Sequence, residues 1–224
     1  MLVAGVDGRR GGWVVATVDV PHGVDESPAR LVSLEYRETL ASLLDEEARV
    51  IAIDMPIGLS DDGSRACDVA ARRILRPHGS RVFPAPPRAA LPYITDYEAA
   101  CAASRAVSGK ALSRQSWNLL AAISEVDDLA DDECLVECHP ELAFALMNGH
   151  PVDERKKTPE GRARRLDLLR RWLPDLDAPA YGDDGLDAIA CAWSAARIAS
   201  GAAVTLPAGS LRRDGRGRPM RICA

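Results

Sequence analysis

Acidic residues follow two apolar segments that have the character of buried strands. Asp7 comes after the run LVAGV, and Asp54 comes after VIAI. An unpaired buried carboxylate is costly, so each should face water, accept backbone hydrogen bonds in the turn it begins, or bind a cation. For either aspartate alone the turn is the simpler interpretation, but two in matching positions make a shared chemical role an equal alternative.

Three further acidic residues fit the same pattern. Glu137 lies in the segment CLVECHPE, and Asp184 and Asp187 are three residues apart, a spacing that puts both on one face of a helix. If the strands are neighbours in an open sheet, these side chains meet in the crevice beyond the strand ends. Converging carboxylates repel one another, so a divalent cation is expected, and oxygen ligands favour Mg²⁺ or Mn²⁺.

The chemistry that such ligands permit is phosphodiester hydrolysis by a two-metal mechanism. The predicted catalytic residues are Asp7, Asp54, Glu137, Asp184 and Asp187. Asp7 would bridge two ions, Asp54 and Asp187 would complete their coordination, and Glu137 or Asp184 would orient the water. Glu137 is also counted among the metal ligands, with Asp7, Asp54 and Asp187.

Some of these residues have structural alternatives. Asp183 and Asp184 stand where a helix N-cap and first turn belong. His139 precedes Pro140, and a structural role is the simpler interpretation for it.

The elements that must position these residues alternate along the chain. Three strands are predicted first, the first two forming a hairpin through DGRRGG. A helix, a fourth strand, several helices, a fifth strand and two helices follow. The predicted strands are 2–6, 13–19, 30–36, 50–53 and 135–139, and the predicted helices are 39–47, 64–75, 96–106, 113–129, 160–173 and 183–199.

This order predicts an α/β protein with a ribonuclease H-like fold. Its mixed five-stranded sheet has three antiparallel strands and then parallel ones, and helices flank it. We interpret the chain, 1–224, as a single domain with a proline-rich and helical insertion at about 76–130.

Composition sets further limits. The chain has 224 residues, a net charge of −5 and a sequence pI of about 5.4, which gives no support to nonspecific nucleic-acid binding. Basic residues cluster at 154–165 and 211–221, where a solvated helix face and a frayed tail are the simplest interpretations. Six cysteines without a C-x-x-C pair indicate free thiols. Neither a signal peptide nor a membrane span is visible, which predicts a cytoplasmic protein.

Several longer blocks carry a family resemblance. The segments GVDGRRGGWVVA, IDMPIGLSDDGSRACDVAARRIL, SRVFPAPPR, VECHPELAFALMNG and DDGLDAIACAWSAARIASG resemble the DUF429 family, whose members are predicted ribonuclease H-like nucleases. The resemblance runs from Gly5 to Gly201. It implies a ribonuclease H-like fold with acidic residues at Asp7, Asp54, Glu137 and Asp187, and it supplies no substrate.

Basic residues near the expected crevice are candidates for binding phosphate. Arg9 and Arg81 are departures from the family pattern that add positive charge there. Arg88, Lys156 and Lys157 could also contact phosphate, with solvated surface charge as the alternative for the lysines.

The expected partner is a nucleic acid or a small phosphoester. Two other functions stay open: a noncatalytic nucleic-acid or nucleotide-binding module, and a phosphotransferase of related fold. Metal-dependent cleavage would separate them. Trp172 or Trp193 could lie at a homodimer interface.

Overall fold

A central five-stranded sheet organises the protein. The computed structural model describes residues 1–21, 28–44 and 47–224. The strands are β1 (Leu2–Arg9), β2 (Gly12–Asp19), β3 (Arg30–Arg37), β4 (Ile51–Ile53) and β5 (Leu135–Glu137), in the spatial order β3-β2-β1-β4-β5. β1, β2 and β3 pair antiparallel, whereas β4 pairs parallel with both β1 and β5. This arrangement confirms the expected ribonuclease H-like fold.

The β1–β2 hairpin forms as its turn chemistry predicts. Arg9 pairs with Gly12, which leaves Arg10 and Gly11 as a two-residue loop. Gly11 has a φ of +84°, a backbone conformation that residues with a Cβ rarely adopt. The hairpin extends β1 past Asp7, which is part of the strand and does not begin the turn.

Seven helices are described. They are α1 (Ala66–Ile74), α2 (Tyr97–Ser108), α3 (Arg114–Asn118), α4 (Leu120–Leu129), α5 (Pro140–Asn148), α6 (Pro159–Arg170) and α7 (Asp183–Ala199), together with 3₁₀ turns at Ala41–Leu43, Gly79–Arg81 and Arg88–Tyr93. Side-chain caps start several of them, including Asp96, Ser113 and Thr158.

Two helix predictions need correction. The helix expected at 39–47 is a 3₁₀ turn, Ala41–Leu43, without a side-chain cap from Thr39; residues 45 and 46 lie outside the described part of the chain. The helix expected at 113–129 divides at Leu119 into α3 and α4. The N–H of Leu119 bonds to the carbonyls of Ser116 and Trp117, because the end of α3 tightens before α4 begins.

Both faces of the sheet are covered by helices. On one face Val3, Val14, Ala16 and Val18 pack with α5, α6 and α7, and on the other Ala4, Val6, Val15 and Ile53 pack with α4. Alternation along each strand therefore sorts residues between the two layers. All six cysteines are free, as predicted.

The C-terminal segment is ordered against the domain, contrary to the predicted frayed tail. A two-stranded sheet of β6 (Thr205–Leu206) and β7 (Ile222–Cys223) brings the chain end back to β5, where the backbones of Cys223 and Cys138 form an isolated parallel β-bridge. Arg218 is buried and pairs with Asp127 at 2.6 Å and Asp131 at 2.9 Å. These partners are 91 and 87 residues away in sequence, so local composition does not reveal them.

No helix among the described residues is long and apolar enough to cross a membrane.

Candidate active site

A cavity of about 710 Å³ opens where β1 and β4 end. Both acidic and basic residues line it. Its lining includes Asp7, Asp54, His139, Glu141, Asp184 and Asp187, together with Arg81, Gln115, Arg155, Lys156, Lys157 and Thr158. The cavity therefore contains four of the five predicted catalytic residues.

Strand register brings Asp7 and Asp54 together. β1 and β4 pair in parallel with Gly5 opposite Ala52 and Val6 opposite Ile53, and the N–H of Asp54 bonds to the carbonyl of Val6 at 2.9 Å. The next step along this register sets Asp54 beside Asp7. Alternation also gives Asp7 the same face as Val3 and Gly5, which is the face that α7 covers.

Close packing of α7 on β1 brings the helical carboxylates to the same place. A Cβ on Gly5 would lie 2.0 Å from the nitrogen of Ala192 and 2.1 Å from the carbonyl oxygen of Ala188, so only glycine allows this approach. Asp187, one turn before Cys191, then faces the end of β1, and Asp184 is one turn further out. Both line the cavity.

Asp7 is buried without a counter-charge of its own. Its residue is 8% exposed, and no described residue donates a hydrogen bond to its carboxylate. Burial, and then the carboxylates of Asp187 and Asp54, raise the pKa of Asp7 well above its ordinary value. Burial also raises the pKa of Asp54, although His139 and Lys156 oppose the shift. The absence of backbone donors to Asp7 and Asp54 in the described chain disfavours their role as turn residues.

Asp187 has a direct counter-ion. The ammonium of Lys156 lies 2.7 Å from Asp187 Oδ2. Burial raises the pKa of Asp187 to about 6, even though Lys156 lowers it. Burial would lower the pKa of Lys156, but Asp187, Asp7 and Asp54 outweigh burial and raise it. Lys156 therefore stays charged and balances part of the acidic cluster.

The carboxylates of Asp7, Asp54 and Asp187 are chemically suitable ligands for a hard divalent cation. The converging groups are carboxylate oxygens, which hard divalent cations prefer, and the Asp7 carboxylate lines the cavity without a hydrogen-bond donor from the described residues. Within residues 1–21, 28–44 and 47–224, however, no three histidine, cysteine, aspartate or glutamate side chains are arranged to hold a metal ion. Binding would require side chains in this cavity to move together.

Glu137 is not brought to this cavity, so its predicted roles as metal ligand and water-orienting residue need correction. In the β4–β5 register Glu137 lies opposite Ile53, on the sheet face away from α7, whereas the following residue, Cys138, falls in line with Asp54. The Glu137 carboxylate is bound by Arg65 at 2.6 and 2.8 Å and by the N–H of Ile57 at 2.7 Å. A one-residue difference in register thus turns the side chain to the other layer.

Glu141 is an acidic residue of the cavity that sequence patterns missed. It lies in the first turn of α5, is buried, and pairs with Arg81 at 2.8 Å and Arg165 at 2.6 Å. His139 caps the same helix, because its Nδ1 accepts the N–H of Glu141 at 3.2 Å. The available signal was position: HPE starts a helix directly after β5, at the edge of the sheet where Asp7 and Asp54 lie.

The remaining acidic residues at the start of α7 have defined partners. Asp184 accepts a hydrogen bond from Arg9 at 2.9 Å, and the Arg9 guanidinium also lies over the Tyr181 ring at 5.4 Å. Asp183 pairs with Arg162 at 2.6 Å. Gly182 occupies the N-cap position, and no side chain caps the helix there. Asp183 is therefore held by an ion pair instead of capping α7.

The predicted phosphate-binding residues divide into two groups. Arg81, Lys156 and Lys157 line the cavity, and Lys157 is exposed. Arg9 lines an adjoining cavity of about 420 Å³ that shares Gly8 with the first.

Arg88 lies elsewhere, and its predicted contact with phosphate does not fit the structure. It bonds to both oxygens of Asp127, at 2.9 and 3.1 Å, and to Asp214 at 2.5 Å. These ion pairs attach the C-terminal segment to α4. The basic segment at 154–165 is likewise not a simple solvated face, because Arg165 is buried against Glu141.

Comparisons with known proteins give a family and a structural likeness. A family model described as "Protein of unknown function (DUF429)" matches residues 5–212. Thermus thermophilus RuvC is similar at 14% sequence identity and a TM-score of 0.40, covering 90% of this chain and 98% of that one. A structure of T. thermophilus RuvC in complex with a Holliday junction substrate is similar at 14% identity and a TM-score of 0.42, covering 89% and 97%. No curated protein matches the chain.

Proposed function

The chain belongs to the DUF429 family, and we propose that it is a metal-dependent nuclease that hydrolyses phosphodiester bonds at the cavity between β1, β4 and α7. One observation carries this proposal. Asp7, Asp54 and Asp187 converge at one end of the sheet, and Asp7 is buried with no hydrogen-bond donor from the described residues. Such a carboxylate group is suited to a divalent cation.

The proposed ligands are Asp7, Asp54 and Asp187, with Mg²⁺ or Mn²⁺ as the ion. When bound, the ion would stabilise negative charge on the scissile phosphate and lower the pKa of a water ligand. Glu137 is left out of this set because Arg65 already neutralises it.

The chain's own residues would position the substrate. Lys157 and Arg155 lie on the cavity lining and carry the charge that a phosphodiester backbone needs. Arg81 is less free to do so, because Glu141 and the carbonyl of Val152 hold it. In this proposal Arg81 fixes Glu141 at the cavity edge.

Asp184 is proposed to orient the water, and Arg9 holds it for that role. The contact of 2.9 Å fixes the carboxylate one helical turn from Asp187. The adjoining cavity of about 420 Å³, lined by Arg9, Arg10 and Asn118, gives the flanking nucleotide a place to lie. The low aromatic content, 4%, provides few stacking surfaces, which favours a short or structured nucleic acid over a long single strand.

The test is cleavage of a substrate panel with and without Mg²⁺ or Mn²⁺. The panel contains single-stranded and duplex DNA, RNA, an RNA–DNA hybrid, a branched DNA and a small phosphodiester. We expect metal-dependent cleavage by the wild type and a loss of at least about a hundredfold in Asp7→Asn. Asp183→Asn is the matched control, since Asp183 pairs with Arg162 and does not line the cavity.

Two results would overturn the proposal. Metal-dependent binding of nucleic acid without cleavage would favour a noncatalytic binding module. Consumption of ATP without cleavage would favour a phosphotransferase.

A homodimer and a cytoplasmic location stay predictions. Trp172 and Trp193 pack against the α7-side core but are only partly buried, which leaves ring surface for a partner.

A further inference from the structure

Of two adjacent lysines in the cavity, Lys156 forms an ion pair with the acidic cluster of Asp7, Asp54 and Asp187, through Asp187. Lys156 and Lys157 both line the cavity. Lys156 Nζ lies 2.7 Å from Asp187 Oδ2, whereas no ion pair joins Lys157 to any described residue. The Asp187 side chain is 3% exposed and the Lys156 side chain 43% exposed. The ammonium therefore reaches in from solvent to a buried carboxylate.

The backbone that carries Lys156 is fixed independently of this contact. Arg165 donates hydrogen bonds to the carbonyls of Glu154 and Gly161, at 3.1 Å each, and Thr158 caps α6 through the N–H of Gly161 at 3.1 Å. A Cβ on Gly161 would lie 2.0 Å from the carbonyl oxygen of Arg155, so α6 and this segment are in close contact. Removing the ammonium from Asp187 would leave the segment in place.

The charges of the cavity are incompletely balanced by this lysine. Among the described residues Lys156 forms a hydrogen bond and ion pair with Asp187, whereas Asp7 and Asp54 receive no hydrogen bond from any described side chain. One ammonium carries a single charge on a flexible stem, whereas a divalent cation carries two and accepts about six oxygen ligands. The Lys156 ammonium and a divalent cation therefore compete for the Asp187 carboxylate.

We propose that Lys156 is a built-in counter-ion of the acidic cluster, which a divalent cation must displace from Asp187 in order to bind. This inference rests on the proposed function and adds a residue that sets metal affinity. Displacement moves the ammonium away from Asp187 while its segment keeps it at the cavity, where it faces an anionic phosphate. Without metal, the Lys156 ammonium stays on Asp187 and reduces the repulsion among the carboxylates.

The experiment is calorimetric titration of Mn²⁺ into wild type, Lys156→Met, Lys157→Met and Asp7→Asn, with the melting temperature of each metal-free protein. Met keeps the apolar stem and removes the charge. Lys157→Met removes the same charge from the same cavity without breaking an ion pair, so it measures the general electrostatic effect.

We expect Lys156→Met to bind Mn²⁺ about tenfold more tightly than the wild type, and Lys157→Met to differ by less than about threefold. Metal-free Lys156→Met should melt below Lys157→Met, and saturating Mn²⁺ should close that gap. Asp7→Asn should lose binding.

Equal or weaker Mn²⁺ binding in Lys156→Met, with binding still lost in Asp7→Asn, would overturn the counter-ion role and leave the metal site intact. Saturable binding that persists unchanged in Asp7→Asn, or no binding by any of the four proteins, would overturn the proposed metal site, and the counter-ion role with it.

Discussion

Arg65 clamps Glu137 from the side of the sheet opposite α7. Its Nη2 lies 2.6 Å from Glu137 Oε1 and its Nη1 lies 2.8 Å from Oε2. Arg65 also bonds to the carbonyls of Ile57 and Gly58, while Glu137 accepts the N–H of Ile57. The pair therefore holds the turn after β4, and with it the direction in which Asp54 leaves the strand.

Glu137→Gln should reduce stability without reducing metal affinity. The change leaves a buried guanidinium only partly compensated, which costs about 3 kcal/mol of unfolding free energy. Urea denaturation measures this cost, and Mn²⁺ titration below the transition should give a dissociation constant within about twofold of the wild type. Glu133→Gln, at an exposed position, is the control. Loss of Mn²⁺ binding at unchanged stability would contradict this prediction and indicate that Glu137 is a metal ligand.

Gly5→Ala should separate α7 from β1. The added methyl group clashes with the backbone of Ala188 and Ala192, and only movement of α7 away from β1 can relieve this clash. We expect a loss of about 3 kcal/mol or more in unfolding free energy. Gly8→Ala is the control, because the nearest atom to its Cβ is the flexible end of Met55 at 3.5 Å. Equal stability of the two variants would contradict the close packing.

The pKa of Asp187 predicts how stability depends on pH. Burial raises it from 3.8 to about 6, Asp54 and Glu141 act in the same direction, and Lys156 lowers it. The folded state then binds more protons than the unfolded state between these values, so this contribution to stability falls as pH rises from about 4 to about 6.

Asp187→Asn lacks this titration. The unfolding free energy of the wild type minus that of the variant, measured without metal, should decline by about 2–3 kcal/mol across this pH range. A difference that stays constant or increases with pH would contradict the shift.

Asp127 should be a stability determinant of the C-terminal segment. Its carboxylate accepts hydrogen bonds from Arg88, Arg216 and Arg218 at 2.6–3.1 Å. Asp127→Asn leaves these cations without their shared charge, and we expect a loss of about 3 kcal/mol. Thermal and urea unfolding check this, with exposed Asp128→Asn as the control. If both variants match the wild type, the segment is held by its apolar contacts alone.

Local patterns predicted the parts of the fold that local physics determines. Apolar runs located the five strands, the Arg10–Gly11 turn predicted the hairpin, and strand-end aspartates identified Asp7 and Asp54 as neighbours. The three-residue spacing of Asp184 and Asp187 predicted that they share one face of a helix, and both line the cavity. In each case the signal lay within a few residues of the site.

The failures came from contacts that join distant segments. Glu137 was misjudged because strand alternation gives the face only when the register with the neighbouring strand is known. Arg88 was predicted to contact phosphate and Arg218 was placed in a frayed tail, yet their partner Asp127 lies 39 and 91 residues away. Glu141 was missed because its position in the site depends on the Arg81 and Arg165 ion pairs.

Anomalous diffraction from crystals grown with Mn²⁺ would locate the proposed metal directly. We expect a manganese peak within about 2.3 Å of carboxylate oxygens of Asp7 and Asp187, with Asp54 beside it and Lys156 Nζ no longer in contact with Asp187. A cavity without a manganese peak at saturating Mn²⁺, with Lys156 still bound to Asp187, would contradict the proposed metal site.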